Sequence, residues 1–128
     1  MNIFDQYLDK IIETIDALNQ DHMIQLSEEG GVQDQLPKIT NKINVDTVPD
    51  KLDFDISTNV AMILAKINKK SPVEFANFII PYLKDDNMDK ISVIKPGFIN
   101  IKFKPIFWTN FIKEVIQNSK TYGVNTKE

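Results

Sequence analysis

The sequence contains no cysteine and no arginine, and it has only one histidine and four glycines. Without cysteine, disulfide bonds and thiolate chemistry are excluded. Four glycines can hardly build a glycine-rich phosphate loop. The single histidine, His22, has no nucleophile or metal-ligating residue at a sequence spacing typical of a catalytic or metal site. It is interpreted as a surface or cap residue. These absences argue against an independent enzyme. We predict no catalytic residue, no metal ligand and no cofactor-binding residue in this chain.

Carboxylates offer one weak alternative to that interpretation. Asp50, Asp53 and Asp55 lie close together in the sequence and could suggest a cation site. The spacing of a calcium-binding loop, with its glycine and distal glutamate, is absent. A solvated loop is therefore the better interpretation.

Long apolar runs are also missing. No stretch approaches the ~20 apolar residues that a membrane span requires, and the start shows no cleavable signal pattern. We predict a cytoplasmic protein that does not enter a membrane. The 128 residues fit one domain, 1–128.

Charge is divided unevenly along the chain. Residues 1–56 hold twelve Asp or Glu and four Lys, whereas residues 57–128 hold six Asp or Glu and eleven Lys. Between Ile91 and Ile112 there are three lysines and no acidic residue. An acidic protein can still present a locally basic face to a polyanion, although such a run is often just a solvated surface.

Apolar periodicity predicts four helices. The first covers about 3–19, and the second begins at a cap formed by Asp55 or Ser57 and carries Val60, Ile63, Leu64 and Ile67. Ser71-Pro72-Val73-Glu74 is a capping box that opens the third helix, whose predicted apolar face is Phe75, Phe78, Ile79, Tyr82 and Leu83. The fourth starts at Pro105, with inward positions predicted at Ile106, Phe107, Phe111, Ile112, Val115 and Ile116.

Alternation predicts three strands and several turns. The strands are expected over 39–48, 90–94 and 98–104, and Pro96-Gly97 is the turn between the last two. The residues 28–31, Glu-Glu-Gly-Gly, indicate a loop. The expected fold class is α+β, a two-layer domain with helices packed on one face of a small antiparallel sheet.

The segment Phe98–Lys104 carries the strongest functional signal. Its two-residue alternation predicts Ile99, Ile101 and Phe103 in the core and four other side chains on the opposite face. These are Phe98, Asn100, Lys102 and Lys104. An aromatic ring, an amide and two ammonium groups are the groups that stack on a base, bind its edge and hold phosphates. The alternative is a merely solvated strand face, with Phe98 folded down at the turn.

Two stretches resemble the arginyl-tRNA synthetases. Residues 55–66, DISTNVAMILAK, resemble the family segment GD-x-A/S-T-N-x-A-x-x-L-A-K. Residues 96–101, PGFINI, followed by Phe107-Trp108, resemble the segment GPGFIN…FW. Order and spacing are similar to those of the N-terminal additional domain over essentially the whole chain. Phe54 and Lys95 depart from the pattern, because the family usually has glycine at these two positions.

The resemblance implies a recognition module rather than a catalyst. In this family the N-terminal domain packs on the outer corner of arginine tRNA and contacts the D-loop. The contacting positions match Phe98 and Asn100, with Lys95 nearby. Activation of arginine with ATP and its transfer to tRNA would belong to a catalytic domain. That domain and the anticodon-binding domain are expected to be absent from this chain. The implied partners are arginine tRNA and the catalytic domain of the same polypeptide, in a monomer.

Residues and resemblance together predict one mechanism. Phe98 stacks on an unpaired D-loop base, Asn100 hydrogen-bonds to its edge, and Lys95, Lys102 and Lys104 contact phosphate or sugar groups. The rival hypothesis is a protein–protein docking module in which Phe98 is a small apolar anchor.

Overall fold

The computed structural model describes residues 3–26, 39, 41–49 and 52–126, with side chains through residue 117. The helices are α1 (Ile3–Gln20), α2 (Val60–Ile67), α3 (Pro72–Leu83) and α4 (Pro105–Thr126). The strands are β1 (Val45–Thr47), β2 (Ile56–Thr58), β3 (Met88–Ile94) and β4 (Phe98–Phe103). The predicted loop at residues 28–31 lies outside the described residues. No helix in the described ranges is long and apolar enough to cross a membrane.

The sheet is antiparallel throughout, with strand order β1-β2-β4-β3. Strand β4 is hydrogen-bonded on both sides, and its alternation matches the prediction: Ile99, Ile101 and Phe103 are at most 2% exposed. Tyr7 of α1 and Phe107 of α4 pack on the Phe103 ring, with ring centroids 4.8 and 4.4 Å away. Helices α2 and α3 also contact β4. The predicted two-layer α+β arrangement is confirmed.

Helix α1 follows the sequence pattern closely. Its buried residues recur every three or four positions, which places them on one face against the core: Ile3, Tyr7, Ile11, Ile15 and Leu18. The Tyr7 hydroxyl donates to Oδ2 of Asp85 at 3.0 Å, and burial raises the pKa of Tyr7. His22 follows the helix in the left-handed region, φ 61°, and its backbone N–H donates to the Asn19 carbonyl. It therefore lies at the helix end, as predicted.

Helix α3 begins as its capping sequence predicts. The Ser71 hydroxyl accepts a hydrogen bond from the backbone N–H of Glu74 at 3.1 Å, and Pro72 is the first helical residue. The prediction of its buried face was partly wrong. Phe78 and Tyr82 are 37% and 45% exposed, because the apolar stripe is wider than the arc that contacts the sheet.

The last helix was predicted to bury more than it does. Phe107 is buried and Phe111 is half-buried. The prediction was wrong for four apolar residues, which are about half exposed: Ile106, Ile112, Val115 and Ile116. Along the rest of α4 the helical repeat of apolar residues continues past Phe111, but no described part of the chain covers it.

The predicted strand over 39–48 is wrong in extent, because of the described residues in this range only Val45–Thr47 pairs with a neighbouring strand. Ile39 and Ile43 are buried, so their spacing reflects core contacts outside a strand. The sequence also missed β2 at Ile56–Thr58, where we expected a helix cap. Three residues are too few to establish an alternating pattern.

The turn before β4 packs tightly against two helices. A Cβ atom at Gly97 would lie 2.4 Å from Cβ of Pro72 in α3 and 3.0 Å from Cγ of Met62 in α2. Real Cβ atoms do not approach another atom as closely as 2.4 Å, so a side chain at Gly97 forces the turn and α3 apart. Gly97 therefore allows the close distance between the turn and helices α2 and α3.

We expect Gly97→Ala to destabilise the fold by about 1–3 kcal/mol, the usual range for overpacking a tight contact. Urea unfolding measures this change. Asn110→Ala, on the exposed side of α4, is the control and should change the free energy of unfolding by less than about 0.5 kcal/mol. Equal effects of the two substitutions would contradict the tight contact.

Candidate nucleic-acid interface

A groove of about 520 Å³ opens on the face of the sheet opposite the core cluster. Strands β1, β2 and β4, the segment after β1 and the start of α2 form its walls. The lining residues are Asn44, Asp46, Thr47, Val48, Pro49, Leu52, Ser57, Asn59, Met62, Ile94, Phe98 and Asn100.

Strand register explains why polar groups meet in this groove. Paired residues of antiparallel strands place their side chains on the same face. The register aligns Asp46 with Ser57, Ser57 with Asn100, and Asn100 with Ser92. A polar row therefore crosses all four strands, and Asn100 lies on its central strand.

The Asn100 side chain is buried, which corrects the expectation of an exposed amide. Its residue is 3% exposed, and its Oδ1 is a buried acceptor with no hydrogen-bond donor among the described residues. Nearly all buried polar atoms in proteins have a partner, and leaving one unpaired costs about 1–3 kcal/mol. Asn100 thus lines the groove with a side chain whose buried acceptor lacks a donor within the described part of the chain.

Phe98 provides an apolar surface beside this amide. It is 38% exposed and lies two residues from Asn100 on the same face of β4, roughly 7 Å away along the strand. Its cross-strand partner is Ile94, which is 36% exposed. The groove thus joins an exposed aromatic ring to an unpaired amide.

The structure separates the three lysines that the sequence grouped together. Lys95 lies in the β3–β4 turn and Lys104 directly follows β4, and both are exposed. Nζ of Lys102 instead donates to Oδ1 of Asp53 at 2.7 Å. Lys90 donates to the other carboxylate oxygen of Asp53 at 2.9 Å. Lys102 is therefore already paired with an anion of its own chain.

Most polar side chains of the segment 55–59 have structural roles. Oδ2 of Asp55 accepts from the backbone N–H of Phe103 at 2.8 Å. Oγ1 of Thr58 accepts from Val60 N–H at 3.2 Å. Asn59 joins two backbone groups, because Oδ1 accepts from Asn44 N–H at 2.7 Å and Nδ2 donates to the Lys42 carbonyl at 3.0 Å. These bonds fix β1, β2 and α2 around the groove.

Sequence reasoning missed three contributors to this surface. Ser57 lies within the family motif but was interpreted as a possible helix cap. Asp53 was assigned to a solvated loop, and it is indeed exposed, but it is paired with two lysines. Lys90 carried no signal, since a lysine on an outer strand face is ordinary. No group of three or more His, Cys, Asp or Glu that could hold a metal ion occurs within the described ranges.

Comparison with known proteins agrees with the resemblance. The model of the arginyl-tRNA synthetase N-terminal domain matches residues 5–103. The arginine–tRNA ligase of Pelagibacter ubique is 54% identical over 130 residues, which cover all of this chain and 21% of the ligase. The chain belongs to the arginyl-tRNA synthetase N-terminal domain family. The central strand and its groove are thus part of the matched region.

Other relatives in this family are similar over the same span. The arginine–tRNA ligase of Staphylococcus carnosus is 33% identical and that of Bartonella tribocorum is 36% identical, over 98% and 96% of this chain. The chain spans about a fifth of the length of these curated relatives.

The two departures from the family pattern lie beside the groove. Phe54 replaces the usual glycine, and its ring lies under Nζ of Lys90, 5.1 Å from the ring centroid. Lys95 replaces the first glycine of the turn. Neither change removes the aromatic ring or the amide of β4.

We expect Asn59→Ala to destabilise the fold by about 1–2 kcal/mol, because it removes both side-chain bonds to the backbone. Ser57→Ala should change stability by less than about 0.5 kcal/mol, because among the described residues its side chain supports no backbone group. Both residues line the groove, and urea unfolding of the two variants shows which of them also holds the backbone. A larger cost for Ser57→Ala would contradict this assignment.

We expect the Asp53 carboxyl group to titrate at a lower pH than an ordinary aspartate. Its hydrogen bonds to Lys102 and then Lys90 lower its pKa to about 2, from an ordinary value of 3.8. Because the folded-state pKa is depressed, the stabilisation is present above the ordinary value and is lost as pH falls toward about 2. Carboxyl-detected NMR measures the pH at the midpoint of the Asp53 titration. The variant Lys102→Met should raise this midpoint. A normal midpoint would show that the ion pairs do not form.

Proposed function

We propose that this chain binds arginine tRNA and recognises an unpaired base of the D-loop at the outer corner of the tRNA. The base enters the groove, where Phe98 stacks on it and Asn100 hydrogen-bonds to its edge. Stacking on an aromatic ring is worth about 1–3 kcal/mol per base. Both residues line the groove, and no hydrogen bond joins the Asn100 amide to another side chain within the described ranges.

The observation that carries this proposal is the buried Oδ1 of Asn100, which has no hydrogen-bond donor among the residues that the structure describes. A buried acceptor without a donor weakens the fold, and a ligand N–H restores the missing bond. Every nucleobase that is not paired offers such an N–H or amino group on an exposed edge. Phe98 lies two residues from Asn100 on the same face of β4. A planar base can therefore stack on the Phe98 ring and donate a hydrogen bond to the Asn100 acceptor.

Positively charged side chains add a modest contribution to the affinity for tRNA. Lys95 and Lys104 are exposed near the two ends of β4 and supply phosphate or sugar contacts. Two such contacts give a log–log salt slope of about −1.4 with the single-strand coefficient. Binding by this domain alone is therefore weak, and other parts of a longer protein supply the rest.

The wider proposal concerns the protein to which such a domain belongs. Its relatives are called arginine–tRNA ligases. We propose the same reaction here: arginine is activated with ATP and transferred to tRNA by a catalytic domain, in a monomeric cytoplasmic enzyme. This chain's own contribution is recognition, with no cofactor of its own.

We expect Phe98→Ala to weaken binding of an arginine tRNA transcript about 5- to 150-fold, the equivalent of one stacked base. Fluorescence anisotropy at low salt measures the affinity. Phe78→Ala is the matched control, because Phe78 is equally exposed but lies on α3. Equal losses for the two variants would show that Phe98 has no particular role.

Asn100→Leu separates recognition from stability. Tertiary hydrogen bonds are worth about 0.5–1.5 kcal/mol, so tRNA affinity should fall about 2- to 12-fold. Stability should stay the same or rise, because an unpaired buried amide is removed. Amide NMR shifts on adding tRNA should cluster at residues 95–104. If tRNA produces no shifts while a protein ligand binds independently of salt, the docking-module hypothesis is correct instead.

A further inference from the structure

Two lysines face each other at the end of the sheet beside the groove. The register pairs Lys90 of β3 with Lys102 of β4. Lys102 lies two residues after Asn100, so its side chain is on the same face of β4, roughly 7 Å further along the strand. The lysine pair therefore extends the row that begins with Phe98 and Asn100.

The Asp53 carboxylate lies between these two ammonium groups. One oxygen is 2.7 Å from Nζ of Lys102 and the other is 2.9 Å from Nζ of Lys90. Both oxygens are engaged, in the way that two oxygens of a phosphodiester would be. Asp53 nevertheless remains open to solvent, since its side chain is 68% exposed.

The segment that carries Asp53 also reaches the groove. Leu52 lines the groove, and the Phe54 ring lies against Lys90 at 5.1 Å. The ion pairs of Asp53 thus lie beside the groove, next to a residue that lines it. Exposed ion pairs are weak and are screened by salt, so another anion can replace this carboxylate.

We propose that Lys90 and Lys102 form a binding site for an RNA phosphodiester, and that Asp53 occupies this site in the free protein. RNA binding exchanges one anion for another: the carboxylate turns into solvent and the phosphodiester takes its place between the ammonium groups. This inference rests on the proposed function, because the groove must bind RNA for the exchange to occur.

The exchange lowers the affinity for every RNA. A polyanion that places no base in the groove gains little, because it replaces an anion that is already paired. RNA with a base on Phe98 and Asn100 gains the stacking and hydrogen-bond terms in addition. Asp53 therefore lowers both affinities by a similar factor, and only RNA with a base in the groove has further contacts that offset this loss.

The decisive variant is Asp53→Asn, measured with an arginine tRNA transcript and with a blunt-ended RNA duplex, which offers the groove no unpaired base. At low salt we expect both RNAs to bind more tightly, by about two- to tenfold, the size of effect that exposed ion pairs give. The two RNAs should gain by a similar factor, because the carboxylate competes with any phosphodiester. The gain should shrink at high salt, where the ion pairs are screened.

Two further variants establish the cause. In the background Lys90→Met with Lys102→Met, Asp53→Asn should give little gain, because the site it competes for is gone. Asp9→Asn is the matched control: it removes the same charge from an exposed position on α1, which packs on the opposite face of the sheet. Adding tRNA to the unchanged chain should also raise the pKa of Asp53, because its lysines are then held by phosphate.

The failures of the two proposals are distinguishable. If tRNA binds and Asp53→Asn leaves both affinities unchanged, or weakens them, the exchange is wrong and the proposed function stands. A gain equal to that of Asp9→Asn overturns the exchange as well. If neither the unchanged chain nor Asp53→Asn binds tRNA, the proposed function fails and the exchange fails with it.

Discussion

Strand β4 hydrogen-bonds to β2 on one side and β3 on the other, and the rest of the molecule is arranged on its two faces. Because side chains alternate along a strand, Ile99 and Ile101 enter the core while Phe98 and Asn100 face the groove. A shift of one residue would exchange these two sets. Core packing on one face therefore fixes which side chains line the groove on the other, and Gly97 sets the point at which the strand begins.

Polar residues around the groove divide into two groups. Asp55, Thr58 and Asn59 bond to backbone groups, so their removal costs stability. Oδ1 of Asn100 has no partner among the described residues, so removal of this side chain breaks no such bond. The matched family region thus contains residues that build the groove beside residues that only line it, and hydrogen-bond partners distinguish them where sequence similarity cannot.

Charge in space differs from charge along the chain. The segment from Ile91 to Ile112 contains no acidic residue, yet Asp53 comes from the acidic first half and pairs with Lys102. The basic character of β4 is partly neutralised in the free protein. The ion pairs of Asp53, and not the number of lysines alone, then determine how much unpaired positive charge β4 presents.

The sequence by itself determined the features that depend on short-range periodicity. Helix α1, the Ser71 cap and the alternation of β4 were predicted correctly, because residues close in the chain produce them. Tertiary structure alone decided the burial of Asn100, the pairing of β2, and the exposure of Ile112, Val115 and Ile116. It also decided the ion pairs of Asp53, whose partners lie 37 and 49 residues away. A local pattern shows which face of an element is apolar, but only the packed neighbours determine whether that face is covered and which charges meet.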